Sequence, residues 1–328
     1  MQATGRLHLG HYLGVLKNYV NLQNNYDCYF MVANWHSMTT FYTNYRQAHQ
    51  FIAPMVSDWL AAGLDPQKST IFVQSDVPYH AELSLILSMY TPVSWLERNP
   101  TYKEKQENIE KEIDSHGFLG YPVLQAADIF LYEGQLVPIG EDQLPHLELS
   151  REIARRFNHI NKLEGKKAII EPEALLSETP KVLGTDGRKM SKSYGNTLSL
   201  SEDENDLRDK LKKMKTDTGR VKRTDKGNPD NCPVFTYYNY FLPSRKSEID
   251  TQCRNAGIGC IDCKTIIADQ IVIETLPFRE YRKKSIENPE FIISILEAGA
   301  KKACETAGYT MSKIRENMGI TRDYRITI

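Results

Sequence analysis

Cys28-Tyr29-Phe30-Met31-Val32-Ala33 is a short, unbroken apolar run. Such a run suits a strand buried on both faces. Thr70-Ile71-Phe72-Val73 repeats the pattern. Between them, the stretch from Tyr45 to Ala62 places Phe51, Ile52, Met55, Val56, Trp59 and Leu60 at helical spacing. Gly63 is suited to cap a helix there, and Pro54 argues for a kink or a helix start. Ala81 to Met89 is a further helical pattern, carried by Leu83, Ile86 and Leu87. Strand–helix–strand alternation predicts a parallel sheet covered by helices.

The rest of the chain bounds this reading. At 328 residues it is too long for one ordinary domain, so one large domain or two are expected. An apolar content of 41% with 25% charged residues excludes a disordered chain. No apolar run approaches the length of a membrane helix, and Met1 to His8 lacks the apolar block of a secretory signal, so a soluble cytoplasmic protein is expected. Lys and Arg number 41 against 42 Asp and Glu, so a polyanionic partner would need a local basic patch. From about Ser199 the composition turns highly charged and then helical without clear strand runs. Residues 1–195 are therefore expected to form one domain and 196–328 a helical second one.

Two stretches carry phosphate chemistry. Gly5-Arg6-Leu7-His8-Leu9-Gly10-His11 leads into a helical pattern at Leu13, Leu16, Tyr19 and Val20. Glycines at a strand-to-helix turn let backbone amides approach an anion, and a helix N-terminus favours negative charge. Read alone, this is also a polar turn with two surface histidines. Lys189-Met190-Ser191-Lys192-Ser193, preceded by Gly184-Thr185-Asp186-Gly187-Arg188, sets two lysines and hydroxyls in a Gly-flanked loop. Charge spread over a reacting phosphoryl group calls for such a cationic clamp, and a five-residue string is a specific signal. The plain alternative is a solvated charged loop. A third signal is Cys232, Cys253, Cys260 and Cys263, spaced C-x20-C-x6-C-x2-C. In a cytoplasmic chain such clustering points to zinc or an iron–sulfur cluster more than to disulfides.

The histidine and lysine motifs, in this order and separation, resemble the H-I-G-H and K-M-S-K-S signatures of class I aminoacyl-tRNA synthetases. Gln2-x-x-Gly5, Trp35-His36-Ser37-Met38-Thr39, Tyr121-Pro122-Val123-Leu124-Gln125-Ala126-Ala127-Asp128 and Gly140-Glu141-Asp142-Gln143 narrow the resemblance to tryptophanyl-tRNA synthetases over essentially the whole chain. The resemblance implies a doubly wound, Rossmann-like α/β catalytic domain followed by an all-helical anticodon-binding domain, whose last helix returns to the catalytic domain. It implies activation of L-tryptophan with Mg-ATP and its transfer to tRNA(Trp), in a cytoplasmic homodimer.

The resemblance also implies residue roles. Asp128 would accept the indole N–H, which is sensible because indole is a donor only. Tyr121 and Gln143 would lie near the substrate ammonium, and His36 and Gln125 near the amino-acid site. Gly10, His11, Gly140, Glu141, Asp142 and Val182 would surround adenosine and phosphates, with Gln2, Ala3 and Thr4 beside ATP. Lys189, Met190, Ser191, Lys192 and Ser193 would form the pyrophosphate side, joined by Lys105. Lys192 would carry the main electrostatic role, with His11 and Lys189 assisting. The plain alternatives are a helix-capping carboxylate at Asp128 and an N-cap at Asp142. The cysteine segments resemble those binding a four-iron, four-sulfur cluster in a bacterial subset, with structural Zn2+ as the alternative.

Two departures and three alternatives stand beside this resemblance. Relatives begin with a short apolar strand before Gln2, which is absent here and would leave a central strand's neighbours unpaired. Gln125 stands where many relatives carry Met. A tyrosyl-tRNA synthetase shares both signatures; a non-catalytic RNA-binding relative and another nucleotidyltransferase of the superfamily are further alternatives. The basic stretch from Arg208 to Lys226 is a candidate tRNA face, and Tyr237, Tyr238, Tyr240 and Phe241 are candidate base-stacking or core residues.

Overall fold

The computed structural model describes residues 1–3, 5–100, 102, 115–165, 169–176 and 181–320. Strands β1 (Cys28–Val32) and β2 (Ser69–Val73) pair in parallel, with Phe30 opposite Ile71 and Val32 opposite Val73. Strands β3 (Leu136–Ile139) and β4 (Glu173–Leu176) form a second parallel pair. Beside β1, the Met1 amine donates to Met31 O at 2.7 Å and Ala33 N donates to Met1 O at 2.9 Å.

Alternation along a strand sends successive side chains to opposite faces. Phe30, Val32, Ile71 and Val73 enter one core, while Phe72, with Tyr29 and Met31 against it, enters the other. That two-sided burial is why these strands read as continuous apolar runs.

The helices are α1 (Leu9–His11), α2 (Lys17–Leu22), α3 (Asn34–Phe41), α4 (Tyr45–His49), α5 (Ile52–Ala61), α6 (Tyr79–Ser88) and α7 (Val93–Glu97). They continue with α8 (His116–Phe130), α9 (Leu144–Ile160), α10 (Glu204–Lys213), α11 (Pro233–Phe241), α12 (Lys246–Arg254), α13 (Cys260–Glu287) and α14 (Pro289–Asn317). A π-turn over Tyr12–Leu16 joins α1 to α2. The single helical pattern expected from Tyr45 to Ala62 is two helices, broken before Ile52, with Pro54 in the first turn of α5. At its end Gly63 adopts φ +107°, and Gly63 N and Leu64 N donate to Leu60 O and Trp59 O. This is the left-handed cap that favours glycine.

Among the described residues from 200 to 320 no strand occurs. The two long C-terminal helices nevertheless belong to the same packing as the N-terminal part. Helix α13 lies on α5, and α14 lies against β2 and α6. A Cβ built on Gly299 of α14 would stand 1.8 Å from Ile71 O, so the helix meets the backbone of β2 directly. Ala303, Ala307 and Met311 complete the core beneath Phe72.

Candidate functional site

Ligands of open parallel sheets bind outside the carboxyl ends of the strands. Here those ends deliver expected residues at two strands, β1 leading to Trp35 and His36 and β3 to Gly140 through Gln143, while β2 leads to Gln74, which was not expected. Tyr121, Gln125 and Asp128 follow at i, i+4 and i+7 on α8, which places them along one helix face.

Asp128 is the centre of a buried polar cluster. Its Oδ1 accepts from His80 Nδ1 at 2.7 Å and from Gln74 Nε2 at 2.8 Å. Its Oδ2 accepts from His36 Nε2 at 2.8 Å and, more distantly, from Gln74 Nε2 at 3.1 Å. Burial alone would raise the carboxyl pKa, but the bonds from His36 and His80 outweigh it and hold it at about 2. Asp128 therefore sits inside α8 as a charged acceptor and does not cap a helix. The Tyr121 ring lies 6.4 Å from the His36 ring, and its hydroxyl meets His146 Nε2 at 3.0 Å. Burial pushes the Tyr121 phenol up to about 12, so it stays protonated. Asp142 does not cap α9: Gln143 occupies that position, and its amide donates to Asp142 Oδ2 at 2.9 Å.

The histidine motif forms a reciprocal cap. Gly10 N donates to His8 Nδ1 and His8 N donates to His11 Nδ1, each at 3.1 Å. Both Nδ1 atoms are acceptors, so in each neutral ring the proton is on Nε2. Burial, and then the nearby Lys192 charge, lower His8 to about 4. Burial, His8 and Lys192 lower His11 to about 3. Both rings are thus neutral N–H donors at physiological pH. A Cβ on Gly10 would stand 2.9 Å from His8 Cε1, so a side chain there would collide with this cap.

The lysine loop closes on the same place. Leu9 N donates to Leu198 O at 3.0 Å and Leu200 N to Leu7 O at 3.0 Å, tying the segment after the loop to the histidine segment. Lys192 Nζ lies 3.5 Å from the position of a Cβ on Gly5, where φ is +129°. Although Lys192 is exposed as a residue, burial of its ammonium lowers its pKa. Met190 and Val182 are buried together, joined by Met190 N to Val182 O at 2.9 Å. Ser191 and Ser193 hydroxyls meet at 2.9 Å, and Lys189 is exposed. Gln2 Nε2 reaches His36 O at 3.5 Å and Ala3 N donates to Ser37 Oγ at 3.1 Å. Three residues span at most roughly 11 Å, so the His36 side and the Lys192 side are neighbours across Gln2 to Gly5. Thr4 and Lys105 lie outside the described residues.

Sequence reading missed His80, Gln74, His146 and Asn196. Asn196 brackets the lysine loop: Oδ1 accepts from Ser191 N at 2.8 Å and Nδ2 donates to Asp186 Oδ1 at 2.7 Å. A lone His or Asn on a helix or turn carries no local signal; only the closure of the fold reveals these partners.

Cys232, Cys253, Cys260 and Cys263 lie within electrostatic reach of one another. Among the described residues no group of three or more Cys, His, Asp or Glu is arranged to hold a metal ion. Arg220 Nη1 stands 4.0 Å from Cys253 Sγ, and the thiols act on the charge of Lys264. Burial raises Cys263 to about 11. Tyr237, Tyr238 and Phe241 are buried, and Tyr238 donates to Cys263 O at 2.7 Å, so these rings are core.

The family model for class I tRNA synthetases (W and Y) matches residues 1–274. The chain is 46% identical to the tryptophan–tRNA ligase of Thermotoga maritima, covering 98% of each chain. It is 40% identical to that of Ralstonia nicotianae, covering 98% of this chain and 97% of that one. A crystal structure of tryptophanyl-tRNA synthetase from Campylobacter jejuni, complexed with ADP and tryptophan, superposes with a TM-score of 0.89 at 35% identity, covering 97% of this chain and 98% of that one. The tyrosyl-tRNA synthetase of Aeropyrum pernix, at 18% identity and a TM-score of 0.64, shares the fold alone. The chain belongs to the class I tRNA synthetase family, in its tryptophanyl branch.

Proposed function

We propose that this protein is a tryptophan–tRNA ligase that activates L-tryptophan with Mg-ATP and passes it to tRNA(Trp). The observation carrying this reading is the convergence of His8, His11 and Lys192 beside Gly5, next to the segment that touches His36. A tryptophan carboxylate oxygen attacks the α-phosphorus of ATP, the bond to the β-phosphate oxygen breaks, and Mg-pyrophosphate leaves. A tRNA ribose hydroxyl then attacks the activated carbonyl and AMP leaves. Neither step needs a protein nucleophile; positioning and cationic stabilisation supply the acceleration.

Asp128 reads the indole N–H, Tyr121 and Gln143 hold the ammonium, and His36 and Gln125 border the side chain. Gly10, His11, Gly140, Glu141, Asp142 and Val182 receive the nucleotide, with Gln2 and Ala3 alongside. Lys189 to Ser193 take the phosphates, with Lys192 as the principal cation and neutral His11 as a donor. ATP–pyrophosphate exchange tests the reading. Tryptophan-dependent exchange is expected; exchange with tyrosine alone would establish the tyrosyl alternative, and none with either amino acid the non-catalytic one.

The helical part beyond 195 is the tRNA-binding region in this reading. Its arginines are largely engaged within the chain: Arg208 with Glu204 and Asp269, and Arg220 and Arg223 with the carbonyls of Ile258 and Ala256. Phosphate contact would therefore fall to lysines such as Lys222 and Lys226. The C-x20-C-x6-C-x2-C spacing of the four cysteines and their resemblance to cluster-binding segments support a 4Fe–4S cluster, with structural zinc as the alternative. Arg220 and Lys264 would balance the cluster's negative charge, and its contribution would be structural. Iron and sulfide at about four each per chain after anaerobic purification, lost in Cys260→Ser, are expected; stoichiometric zinc would overturn it. Exposed Leu85, Met89 and Val93, on α6 and α7 and the turn between, offer an apolar face for the homodimer, which sedimentation tests.

A further inference from the structure

His80 is fully buried at the start of α6, and no substrate role falls to it in the reading above. Its ring is nonetheless bonded at both nitrogens. A carboxylate only accepts, so the 2.7 Å contact to Asp128 Oδ1 fixes the proton on Nδ1. In the neutral ring Nε2 is the acceptor, and it faces the Tyr132 hydroxyl at 2.8 Å. Burial and the Asp128 charge raise the Tyr132 pKa, so the phenol keeps the proton it donates. Tyr132 is itself clamped, stacked on Tyr29 with ring centres 4.6 Å apart. With the ring neutral, the relay runs from Tyr132 to His80 to Asp128.

Gln74 is set just as firmly. Its Oε1 accepts from Trp35 N at 3.1 Å, which turns Nε2 towards Asp128. Each carboxylate oxygen has about two acceptor positions. Each oxygen accepts two contacts: Oδ1 from His80 and Gln74, Oδ2 from His36 and, at 3.1 Å, from the same Gln74 nitrogen that bonds Oδ1. The longest of the four is at Oδ2, so a substrate N–H would take the place of that contact there.

We infer that His80 is a positioning residue for amino-acid selection: by occupying Asp128 Oδ1, with Tyr132 behind it, it orients the carboxylate so that Oδ2 faces the substrate N–H. The inference rests on Asp128 being the indole reader.

The test uses ATP–pyrophosphate exchange by the full-length protein. Its substrates are L-tryptophan and β-(3-benzothienyl)alanine, in which sulfur replaces the indole N–H. The wild-type protein prefers tryptophan. His80→Ala should raise KM for tryptophan about tenfold, the loss expected for one hydrogen bond to a charged group, while leaving the analogue's KM, the KM for ATP and kcat nearly unchanged. His80→Asn places an amide donor near the Nδ1 position and should restore most of the preference. Tyr132→Phe keeps the ring and should show a smaller loss in the same direction, so it decides the matter if His80→Ala does not fold. Equal weakening towards both substrates, or an unchanged preference in His80→Ala or in Tyr132→Phe, overturns the inference. Asp128→Asn separates the two levels. If it abolishes the preference while the His80 and Tyr132 variants keep it, Asp128 is the reader and His80 is only structural. If Asp128→Asn also keeps it, the reading of Asp128 fails, and this inference with it.

Discussion

Asp128 and Lys192 carry opposite charges in the same site, and their surroundings differ in kind. Asp128 accepts from three side chains on three different elements, and two of them, His80 and Gln74, are themselves held by Tyr132 and by Trp35 N. Lys192 and Lys189 form no ion pair among the described residues, and the loop bearing them is fixed through backbone and Asn196 contacts. One end of the site is held in place by the protein's own donors; the other holds charge with no carboxylate paired to it among the described residues. The difference suits what each end would meet in the proposed reaction. A neutral N–H is distinguished from other groups by the placement of an acceptor, so the acceptor must be rigid. A triphosphate brings its own charge, and a cation already paired within the protein would have to give up its partner first.

Kinetics separate the two ends. Lys192→Ala should lower kcat for pyrophosphate exchange by about 10²–10³-fold, with little change in KM for tryptophan, because the lost interaction grows with the departing charge. Asp128→Asn should instead act mainly on KM for tryptophan, by roughly ten- to a hundredfold. If both variants moved the same parameter, the contrast between a rigid reader and an unpaired cation would be wrong.

Stability offers a second separation. Gln74 stands at the end of β2, and α14 presses on that strand at Gly299. Gly299→Ala would place a methyl carbon 1.8 Å from Ile71 O, which only a shift of helix or strand can relieve. A loss of about 3 kcal/mol or more in urea unfolding is expected. In whatever protein remains folded, KM for tryptophan should suffer more than kcat, since Gln74 is disturbed while the loop around Lys192 lies elsewhere. Unchanged stability would show that α14 does not clamp this strand.

What could be read in the sequence divides along the same line. The strands were legible because two-sided burial leaves an unbroken apolar run, as in Cys28 to Ala33. The end proposed to take the phosphates was legible because each of its two halves is local: Gly5 to His11 is one short stretch and Lys189 to Ser193 another, and only their meeting needed the fold. At the end proposed to take the amino acid, Asp128, Tyr121, Gln125, Gln143 and His36 were marked, and these by resemblance. His80 and Gln74 come from other elements, 48 and 54 residues away from Asp128, and nothing in their own neighbourhoods points towards it. The break before Ile52 was signalled by Pro54, which argued for a kink or a helix start and stands in the first turn of α5. The arginines between Arg208 and Arg223 read as a nucleic-acid face, whereas their engagement with nearby carboxylates and carbonyls is a product of folding.

The smallest expected effect lies in the protonation of the histidine motif. His8 and His11 are held at about 4 and about 3, by burial first, with Lys192 adding to both and His8 to His11. An unfolded histidine titrates near 6.5. Between these values the unfolded chain binds the extra protons, so stability falls with falling pH; the contribution is complete above about 6.5 and is lost progressively towards 3. At pH 5, His11 alone should cost on the order of 2 kcal/mol relative to pH 7. His11→Asn offers a carbonyl acceptor in place of Nδ1 and has nothing to titrate, so the gap between urea midpoints at the two pH values should narrow. Exchange activity should show no ionisation near 6.5 from either ring. Lys192→Ala should raise both histidine pKa values, read from imidazole resonances, because it removes a positive neighbour without uncovering the rings. If the resonances of His8 and His11 did not move in that variant, the lysine loop would not lie over the histidine cap in solution, and the unpaired cation would have to be sought elsewhere.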